Sequence, residues 1–517
     1  MNRTNPALPS YVRPEAAAVD PDLVLIDDLL AGTRRMHERS STYIRQWSAE
    51  DPKVYDLRRT CETVFGGFTR TLSAATGMLF AKPPAITWNA SETAMLPQWD
   101  NIDGAGTKGT VFAKRFASAS LRDGLGLLLI DHPPAPKDAQ GKTIRITAAN
   151  EARYNLRPRW AKYGRRAIIN WQTGIVENRT TPILVVLAET GETPTEAFGI
   201  TTAQRYRVLR LVLTPDGYQA TWQVYEQIDE HGDKPESFKV VSAGVFRNRA
   251  GVIATMLPIA VAYTGDTEAA FTATIPLLGV AWANLAHWQI ATNLRFNRDV
   301  CGFEQLVVTG DLQLDPVTQK PGSLKIGPLV GVHLLQGGTA AWIGPSGQGL
   351  AQLEAAKREK LTEMAQQGVS FLQADTRAAE TAEAKRLDAT AENSTLATAA
   401  QGVEDAINTA LEIHAWYLGI DKAGAPVLAI SRDYETTGMP PAMLLAWVRA
   451  IADAGIPEEW MLRAMQAGGL LPADADIDAI ASDMAVTRLA TEEQKRLDAM
   501  TRFGQPDAED VPEDIAA

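Results

Sequence analysis

The chain has 517 residues, of which 45% are hydrophobic and 22% charged, and its formal net charge is −12. This composition predicts a globular protein of two to four structural units and excludes collagen-like and wholly disordered chains. Because only two cysteines are present, Cys61 and Cys301, a disulfide framework and a CxxC metal site are also excluded. A reducing compartment is the simplest expectation.

The negative charge is concentrated in two segments. Residues 438–517 hold six Lys/Arg against fifteen Asp/Glu, and residues 373–418 hold three against eight. Proteins that bind nucleic acid tightly neutralise its phosphates with clustered basic residues, and the sequence has no such cluster. If DNA is a partner, tight static binding is not the expected mode.

The first predicted elements are helices, over residues 21–82. Apolar residues recur there at helical spacing, Pro21 stands near the predicted start, and Pro83 and Pro84 end the segment. Residues 107–131 predict another helix, followed by a buried strand with the sequence GLLLID. No export signal is predicted, because the first thirty residues lack a basic start and an apolar core.

Between about residues 143 and 265 the apolar period changes to two, which predicts antiparallel strands. The runs RYRVLRLVL and YQATWQVYE flank the turn sequence TPDG, with Pro215 at its first central position and Gly217 closing it. In the second run apolar side chains alternate with polar ones from Tyr218 to Val224. We expect one face of this strand to be buried and the other to face water.

The next helix is predicted at 274–299. Residues 275–294 carry no charge and have the length of a membrane span, but several polar residues and a proline interrupt them. A buried or interface helix is therefore favoured, and five apolar residues fall on one of its faces: Leu278, Ala281, Trp282, Leu285 and Trp288. Short β-like runs, FEQLVVTG, GSLKIG and GVHLLQ, then fill residues 300–345.

A span of eighty residues without proline follows, from Ser346 to Ala425, in a chain with 29 prolines. A proline inside a helix costs about 3 kcal/mol, so this absence predicts long helices, with a break at Gly368 and the apolar run after it. Seven residues at helical spacing define a buried face in the second half: Leu396, Ala400, Val403, Ile407, Leu411, His414 and Leu418. Residues 440–500 predict further helices, with core candidates Trp447, Ile451, Trp460 and Met461.

The sequence contains no motif for catalysis, a cofactor or a metal. GPSGQG at 344–349 lacks the lysine of a nucleotide-binding loop, so a turn that caps the next helix is favoured, with Ser346 as a possible cap. The six histidines have no metal-ligand spacing, and no GxSxG nucleophile motif is present. His414 lies on the apolar face of its helix, where a core histidine is favoured over a ligand or a general base.

Six segments, in this order, resemble bacteriophage portal proteins, in particular an uncharacterised-domain subfamily found in tailed-phage genomes. They are GMLFAKPPAITW (77–88), DGLGLLLIDHP (123–133), RPRWAKYGRRAIINW (157–171), PLLGVAWANLAHWQIATNLR (276–295), WIGPSGQGLAQLE (342–354) and ETAEAKRLDATAENSTLA (380–397). The RPRW and YGRR stretches depart from the subfamily pattern, and the region beyond 440 does not match.

The resemblance implies an α+β subunit in a homo-oligomeric ring of about twelve chains at one capsid vertex. Double-stranded DNA would pass through the ring, without sequence specificity, during packaging and ejection. The large terminase and later a head-tail adaptor would dock on it, and major capsid and scaffold proteins would contact its outer part. The expected location is the virion, and the host cytoplasm during assembly, with no membrane partner.

The resemblance also implies a division of the chain. We expect an α/β wing (1–273), a first stem helix (274–299), a clip (300–345), a second stem helix (346–368), a tunnel-facing segment (369–395), a long wing helix with the loop after it (396–437), a helical crown (438–505) and a disordered acidic tail (506–517). Candidate channel residues are Asp375, Arg377, Glu380, Glu383 and Lys385; an exposed helix start of mixed charge explains them equally well. Lys320 and Lys325 are clip candidates, and Gly368 is the expected structural break.

Two other functions remain open. A head or tail structural protein without a channel could use the same α/β body, and it would have no central bore. A packaging enzyme with ATPase or nuclease activity is disfavoured, because the phosphate-binding loop is missing. No catalytic, cofactor-binding or metal-binding residue is therefore assigned.

Overall fold

The computed structural model describes residues 4–133, 140, 144, 154, 156–194, 198–228, 234–302, 305–309, 337–343, 347, 349–368, 382–432, 458–467 and 476–482. The protein is of the α+β class, as predicted. It divides into two compact units, Met1–Arg432 and Asp433–Ala517.

The helices of the first unit are α1 (Pro14–Ala31), α2 (Thr33–Glu38), α3 (Ser40–Tyr43), α4 (Pro52–Arg59), α5 (Gly67–Leu79), α6 (Glu92–Trp99), α7 (Gly109–Asp123), α8 (Leu278–Cys301), α9 (Leu350–Gln367) and α10 (Ala382–Tyr417). Its strands are β1 (Ala85–Thr87), β2 (Leu125–Asp131), β3 (Arg159–Gly164), β4 (Ile168–Val176), β5 (Arg179–Pro194), β6 (Ile200–Thr214), β7 (Gly217–Gln227), β8 (Phe238–Val245), β9 (Ile259–Tyr263), β10 (Gln305–Thr309), β11 (Thr339–Ile343) and β12 (Val427–Ala429).

The first helix begins earlier than predicted. It starts at Pro14, so Pro21 lies inside α1 rather than near its N-terminus. The helix continues through this proline because its apolar face is buried on the body, at Leu23, Leu25, Ile26 and Leu29. The segment 21–82 is then divided into five helices, and Gly32 supplies the first break with a φ of 81°.

The centre of the first unit, called the body below, is a three-stranded sheet in the order β3-β2-β9. The middle strand β2 is buried from Leu125 to Ile130, as the run GLLLID predicted. Helices α7 and α10 pack against this sheet. Strand β2 and helices α7 and α10 thus form the main core of the first unit.

A five-stranded antiparallel sheet, β4-β5-β6-β7-β8, carries the region of period two. The TPDG turn lies where it was predicted, since β6 ends at Thr214 and β7 begins at Gly217 with a φ of 109°. The partners of β5 change along its length: Arg179–Pro182 pair with β4, Leu184–Leu187 pair with both β4 and β6, and Thr190–Pro194 pair with Ile200–Gln204 of β6 alone. These last residues form a two-stranded ribbon beyond the sheet.

The long helix α10 confirms the predicted buried face. Leu396, Ala400, Val403, Ile407, Leu411 and His414 are all buried, whereas Leu418 lies just past the helix end and is half-buried. The histidine is a core residue: Trp160 Nε1 donates to its Nδ1 at 3.1 Å, and its Nε2 lies 2.9 Å from Gln98 Oε1. The helix starts at Ala382, so the second part of the predicted tunnel-facing segment is helical.

Two distant parts of the chain meet in a small sheet. Strand β1 pairs antiparallel with β12, with Ile86 opposite Leu428. Beside this pair, Asn89 Nδ2 donates to the carbonyl oxygen of Ala425 at 2.7 Å. The N-terminal helices are therefore joined to the segment that follows α10.

In the second unit the structure describes helix α11 (Glu458–Ala467) and a short helix at 477–482. Leu462 and Ile477 are buried, and Arg463 forms an ion pair with Asp478 at 3.8 Å. Trp460 is 62% exposed, so its prediction as a core residue was wrong, and Met461 is half-buried. The other two core candidates, Trp447 and Ile451, lie outside the described residues.

Candidate functional site

Helices α8 and α9 form an antiparallel hairpin. At one end Arg298 of α8 is paired with Glu354 of α9, and at the other end Gly279 lies against Gln367. Strands β10 and β11 follow α8 and precede α9, and they pair with each other antiparallel. At about 1.5 Å per residue the two helices are roughly 36 and 27 Å long.

The hairpin is held to the body at its base by polar side chains of α8. Asn284 accepts the backbone N–H of Phe68 at 2.8 Å and donates to the carbonyl of Phe65 at 2.9 Å. Gln289 Nε2 donates to the carbonyl of Tyr43 at 2.7 Å. In the sequence these residues interrupt an apolar window, and that interruption was the only signal of their role. They satisfy backbone groups at the start of α5 and at the end of α3, which a purely apolar helix could not do.

A buried arginine makes a second contact with α8, nearer to the C-terminal end of that helix. Arg58 is 2% exposed, and its guanidinium donates to both carboxylate oxygens of Glu50, at 2.6 and 2.8 Å. It also donates to Asn293 Oδ1 of α8 at 3.0 Å, and it lies 4.2 Å from the Trp47 ring centroid. Hydrogen bonds from Arg58 lower the pKa of Glu50. Sequence reasoning did not identify Arg58, because nothing in the pattern of α4 distinguishes it from a surface arginine.

The rest of the hairpin is exposed in a single chain. From Arg295 onward α8 has no buried side chain, and in α9 only Met364 and Ala365 are buried. Trp282 is 51% exposed, although the sequence placed it on the apolar face of α8. A helical period identifies such a face but does not say whether its partner lies in the same chain.

The charge of the hairpin differs from that of the whole chain. The two helices carry five Lys/Arg and four Asp/Glu, which gives a net charge of +1 against −12 overall. The ion pairs within α9 and between the helices, such as Lys360 with Glu363, balance most of this charge locally. The hairpin therefore presents a nearly neutral surface.

One ionisable group is buried at the hairpin base. His287 of α8 is 4% exposed, its ring lies 5.4 Å from that of Phe65, and neither ring nitrogen has a hydrogen-bond partner among the described residues. Burial, and then the charge of Lys357 on α9, lower the pKa of His287 to about 4. The imidazole is consequently neutral at pH 7.

The second helix of the hairpin ends at Gln367, and Gly368 is its C-cap residue. The Gly368 N–H donates to the Met364 carbonyl at 2.9 Å, and a Cβ at this position would lie 3.0 Å from Thr71 Cγ2. The chain is thus tightly packed on α5 where the helix stops. The observed helix ends, 278–301 and 350–367, lie within four residues of the predicted 274–299 and 346–368.

The structure brings few of the predicted site residues together. Asp375, Arg377 and Glu380 lie outside the described residues, as do the clip candidates Lys320 and Lys325 and the cap candidate Ser346. Glu383 and Lys385 lie in the first turn of α10. Of the β-like runs at 300–345, FEQLVVTG contains β10, whereas GSLKIG and GVHLLQ lie outside the described residues; strand β11 was not predicted.

No described helix combines the length and the apolar character that crossing a membrane requires. Within the same residues, His, Cys, Asp and Glu side chains nowhere form a group of three that could bind a metal ion.

A family model described as a domain of unknown function (DUF4055) matches residues 276–418, which include the hairpin and all of α10. No curated protein matches the chain. Among solved structures, the chain is similar to one from the virion of a native gene transfer agent particle, with 12% identity and a TM-score of 0.37, covering 82% of this chain and 96% of that one. It is also similar to a chain from the neck of the empty particle computed with C6 symmetry, with 13% identity and a TM-score of 0.34, covering 80% of this chain and 93% of that one. A chain from the neck of the native particle computed with C12 symmetry is similar with 12% identity and a TM-score of 0.35, covering 81% of this chain and 94% of that one.

Proposed function

We propose that the protein is a phage portal: a ring of about twelve copies through which double-stranded DNA enters and leaves a capsid. The observation that carries this proposal is the hairpin of α8 and α9. It is anchored at its base, exposed beyond it and extended by a strand pair. Six sequence segments in the order of portal proteins agree with this assignment.

In this proposal copies of the hairpin stand side by side around an axis. The exposed sides of α9 and Trp282 then become contacts between neighbours, which explains why one chain leaves them uncovered. The clip is proposed to be residues 300–345, which include the strand pair, and the terminase and later the adaptor would dock there. The outer part of the body contacts capsid and scaffold.

The near neutrality of the hairpin suits a conduit. DNA held by many lysines and arginines is released slowly, because each neutralised phosphate adds to the affinity. A helix pair with a net charge of +1, in a chain with a net charge of −12, offers few such contacts. Duplex DNA can therefore slide past without being retained. The residues facing the channel are proposed to be Asp375, Arg377, Glu380, Glu383 and Lys385, after the break at Gly368.

The test is the particle formed by the purified full chain. Negative-stain images and mass photometry are expected to show rings of about twelve subunits with a central bore. Ala355→Arg, on the exposed side of α9, should weaken ring formation, whereas Ala94→Arg, which is also at an exposed position but on α6, away from the hairpin, should not. Monomers at high concentration would refute the proposal. Closed particles without a bore would favour a non-channel head or tail protein, and ATP turnover would favour a packaging enzyme.

A further inference from the structure

Among the residues that the structure describes, no further strand pairs with the ribbon formed by Thr190–Pro194 and Ile200–Gln204. Near its tip Phe198 is fully exposed and Ile200 is 62% exposed. A two-stranded ribbon is only marginally stable in water by itself. A ribbon with an uncovered aromatic side chain at its end is therefore the kind of element that becomes stable when it docks on another surface.

An apolar groove of about 550 Å³ lies elsewhere on the first unit. The start of β5, the segment before β9 and the end of α10 line it, with Pro182, Met256, Leu257, Ile413, Trp416 and Ile420 as its apolar residues. Met256 is 62% exposed. A groove of this size can receive one large aromatic side chain together with a neighbouring aliphatic one.

The ribbon cannot fill the groove of its own chain. Pro182 lines the groove and Pro194 ends the ribbon, and both belong to the same strand, β5. At about 3.3 Å per residue they are roughly 40 Å apart. The two unpartnered features therefore stand at opposite ends of one sheet.

The groove and the ribbon also carry charges of opposite sign that could pair. Arg179 directly precedes the groove residue Thr180, and it has no ion-pair partner in the part of the chain that the structure describes. On the ribbon, the exposed carboxylate of Glu192 likewise forms no ion pair with any described residue. The carboxylate of Glu412 at the groove is already paired with Lys422 at 2.9 Å.

We propose that the ribbon of one copy docks into the groove of the next, with Phe198 and Ile200 in the apolar groove and Glu192 near Arg179. The contact is heterologous, so every copy both donates a ribbon and receives one. One docked tip buries a few hundred Å² at most, which is less than a stable pair of proteins needs. A closed ring makes one such contact per subunit with no free end. This inference rests on the proposed ring and identifies one contact between its neighbours.

The test is a disulfide between copies. Phe198→Cys combined with Met256→Cys should give, after mild oxidation, a ladder of covalent oligomers on a non-reducing gel. The matched control is Phe198→Cys with Leu57→Cys, because Leu57 is 68% exposed but lies on α4, away from the groove. A ladder no stronger than that of the control, from protein that forms rings, overturns the docking inference and leaves the portal proposal standing. A ladder without rings would contradict only the portal proposal, and monomers with no ladder would refute both.

A charge exchange provides a second measurement on the same contact. Glu192→Arg and Arg179→Glu, made separately, should each weaken association severalfold, and the double variant should recover most of it. Phe198→Ser should weaken association by on the order of tenfold or more, since it removes a large buried apolar surface. These positions are exposed in the single chain, so monomer folding is expected to be unchanged. Association of Phe198→Ser equal to that of the wild type would overturn the inference.

Discussion

Gly402→Ala is expected to destabilise the protein, although the rule for helices predicts the opposite. Alanine in the interior of a helix is favoured over glycine by about 1 kcal/mol. At position 402 of α10, however, an added Cβ would lie 1.8 Å from the carbonyl oxygen of Tyr263 and 2.8 Å from its carbonyl carbon. Real Cβ atoms do not approach other heavy atoms closer than about 3.0 Å.

The magnitude follows from what must move. Helix α10 and strand β9 would have to separate by about 1.2 Å, and β9 is held in place because Tyr263 pairs with Leu125 of the central strand. Overpacking of this kind costs about 1–3 kcal/mol. The separation also opens gaps around Val403 and Ile407, both fully buried. When the helix-propensity gain of about 1 kcal/mol is subtracted and a cost of about 1 kcal/mol for the gaps is added, we expect a net loss of about 1–3 kcal/mol.

The assay compares thermal unfolding midpoints, followed by tryptophan fluorescence, with those of Gly77→Ala. Gly77 lies in α5, and a Cβ there would meet no atom within 4 Å. Gly77→Ala should therefore leave the midpoint unchanged or raise it, whereas Gly402→Ala should lower it by roughly 1–3 °C, since 1 kcal/mol shifts the midpoint of so large a unit by about 1 °C. If both variants are stabilised to the same extent, the packing of α10 on β9 described above is wrong.

Three further predictions follow from the helices. Ala406→Pro, at a buried position of α10, should abolish ring assembly, whereas Ala423→Pro, after the helix, should not; equal particle images for the two would contradict the helix assignment. His287 has a folded-state pKa of about 4, below its ordinary value of about 6.5, so the unfolded chain binds more protons and stability should fall as the pH drops from about 6.5 towards 4. His287→Leu should flatten this dependence in urea titrations at several pH values, and an unchanged slope would count against the buried neutral state. Arg58→Met should cost about 3 kcal/mol, because it leaves the carboxylate of Glu50 unpaired, and should speed hydrogen exchange in the upper part of α8; exchange confined to α4 would show that Arg58 does not anchor the hairpin.

The spacing of apolar residues predicted the buried face correctly where that face packs against other elements of the same chain. The stripe from Leu396 to His414 and the strand GLLLID were both correctly predicted, because their partners are the neighbouring sheet and helices. The same signal failed at Trp460 and misjudged Trp282, which are exposed in the single chain. A sequence period reports that a face is apolar, and it does not report which chain covers that face.

The polar contacts of the hairpin base could not be predicted. Asn284, His287 and Asn293 were visible only as interruptions of an apolar window, since the groups they contact lie more than two hundred residues earlier in the chain: backbone of Phe65 and Phe68, the ring of Phe65, and the guanidinium of Arg58. Strand β11, with the sequence TAAWI, was missed because two alanines weaken the β pattern and its pairing with β10 is what stabilises it. Long-range pairing is the information that local pattern lacks.

The pairing of β1 with β12 has a consequence for biosynthesis. A ribosome releases Ala85–Thr87 long before Val427–Ala429, so the body cannot close until almost the entire first unit, including the hairpin, has been made. A truncated product would keep an open seam beside α6 and would be recognisable to proteases. Closure of this seam therefore requires that nearly the whole of the first unit has been synthesised.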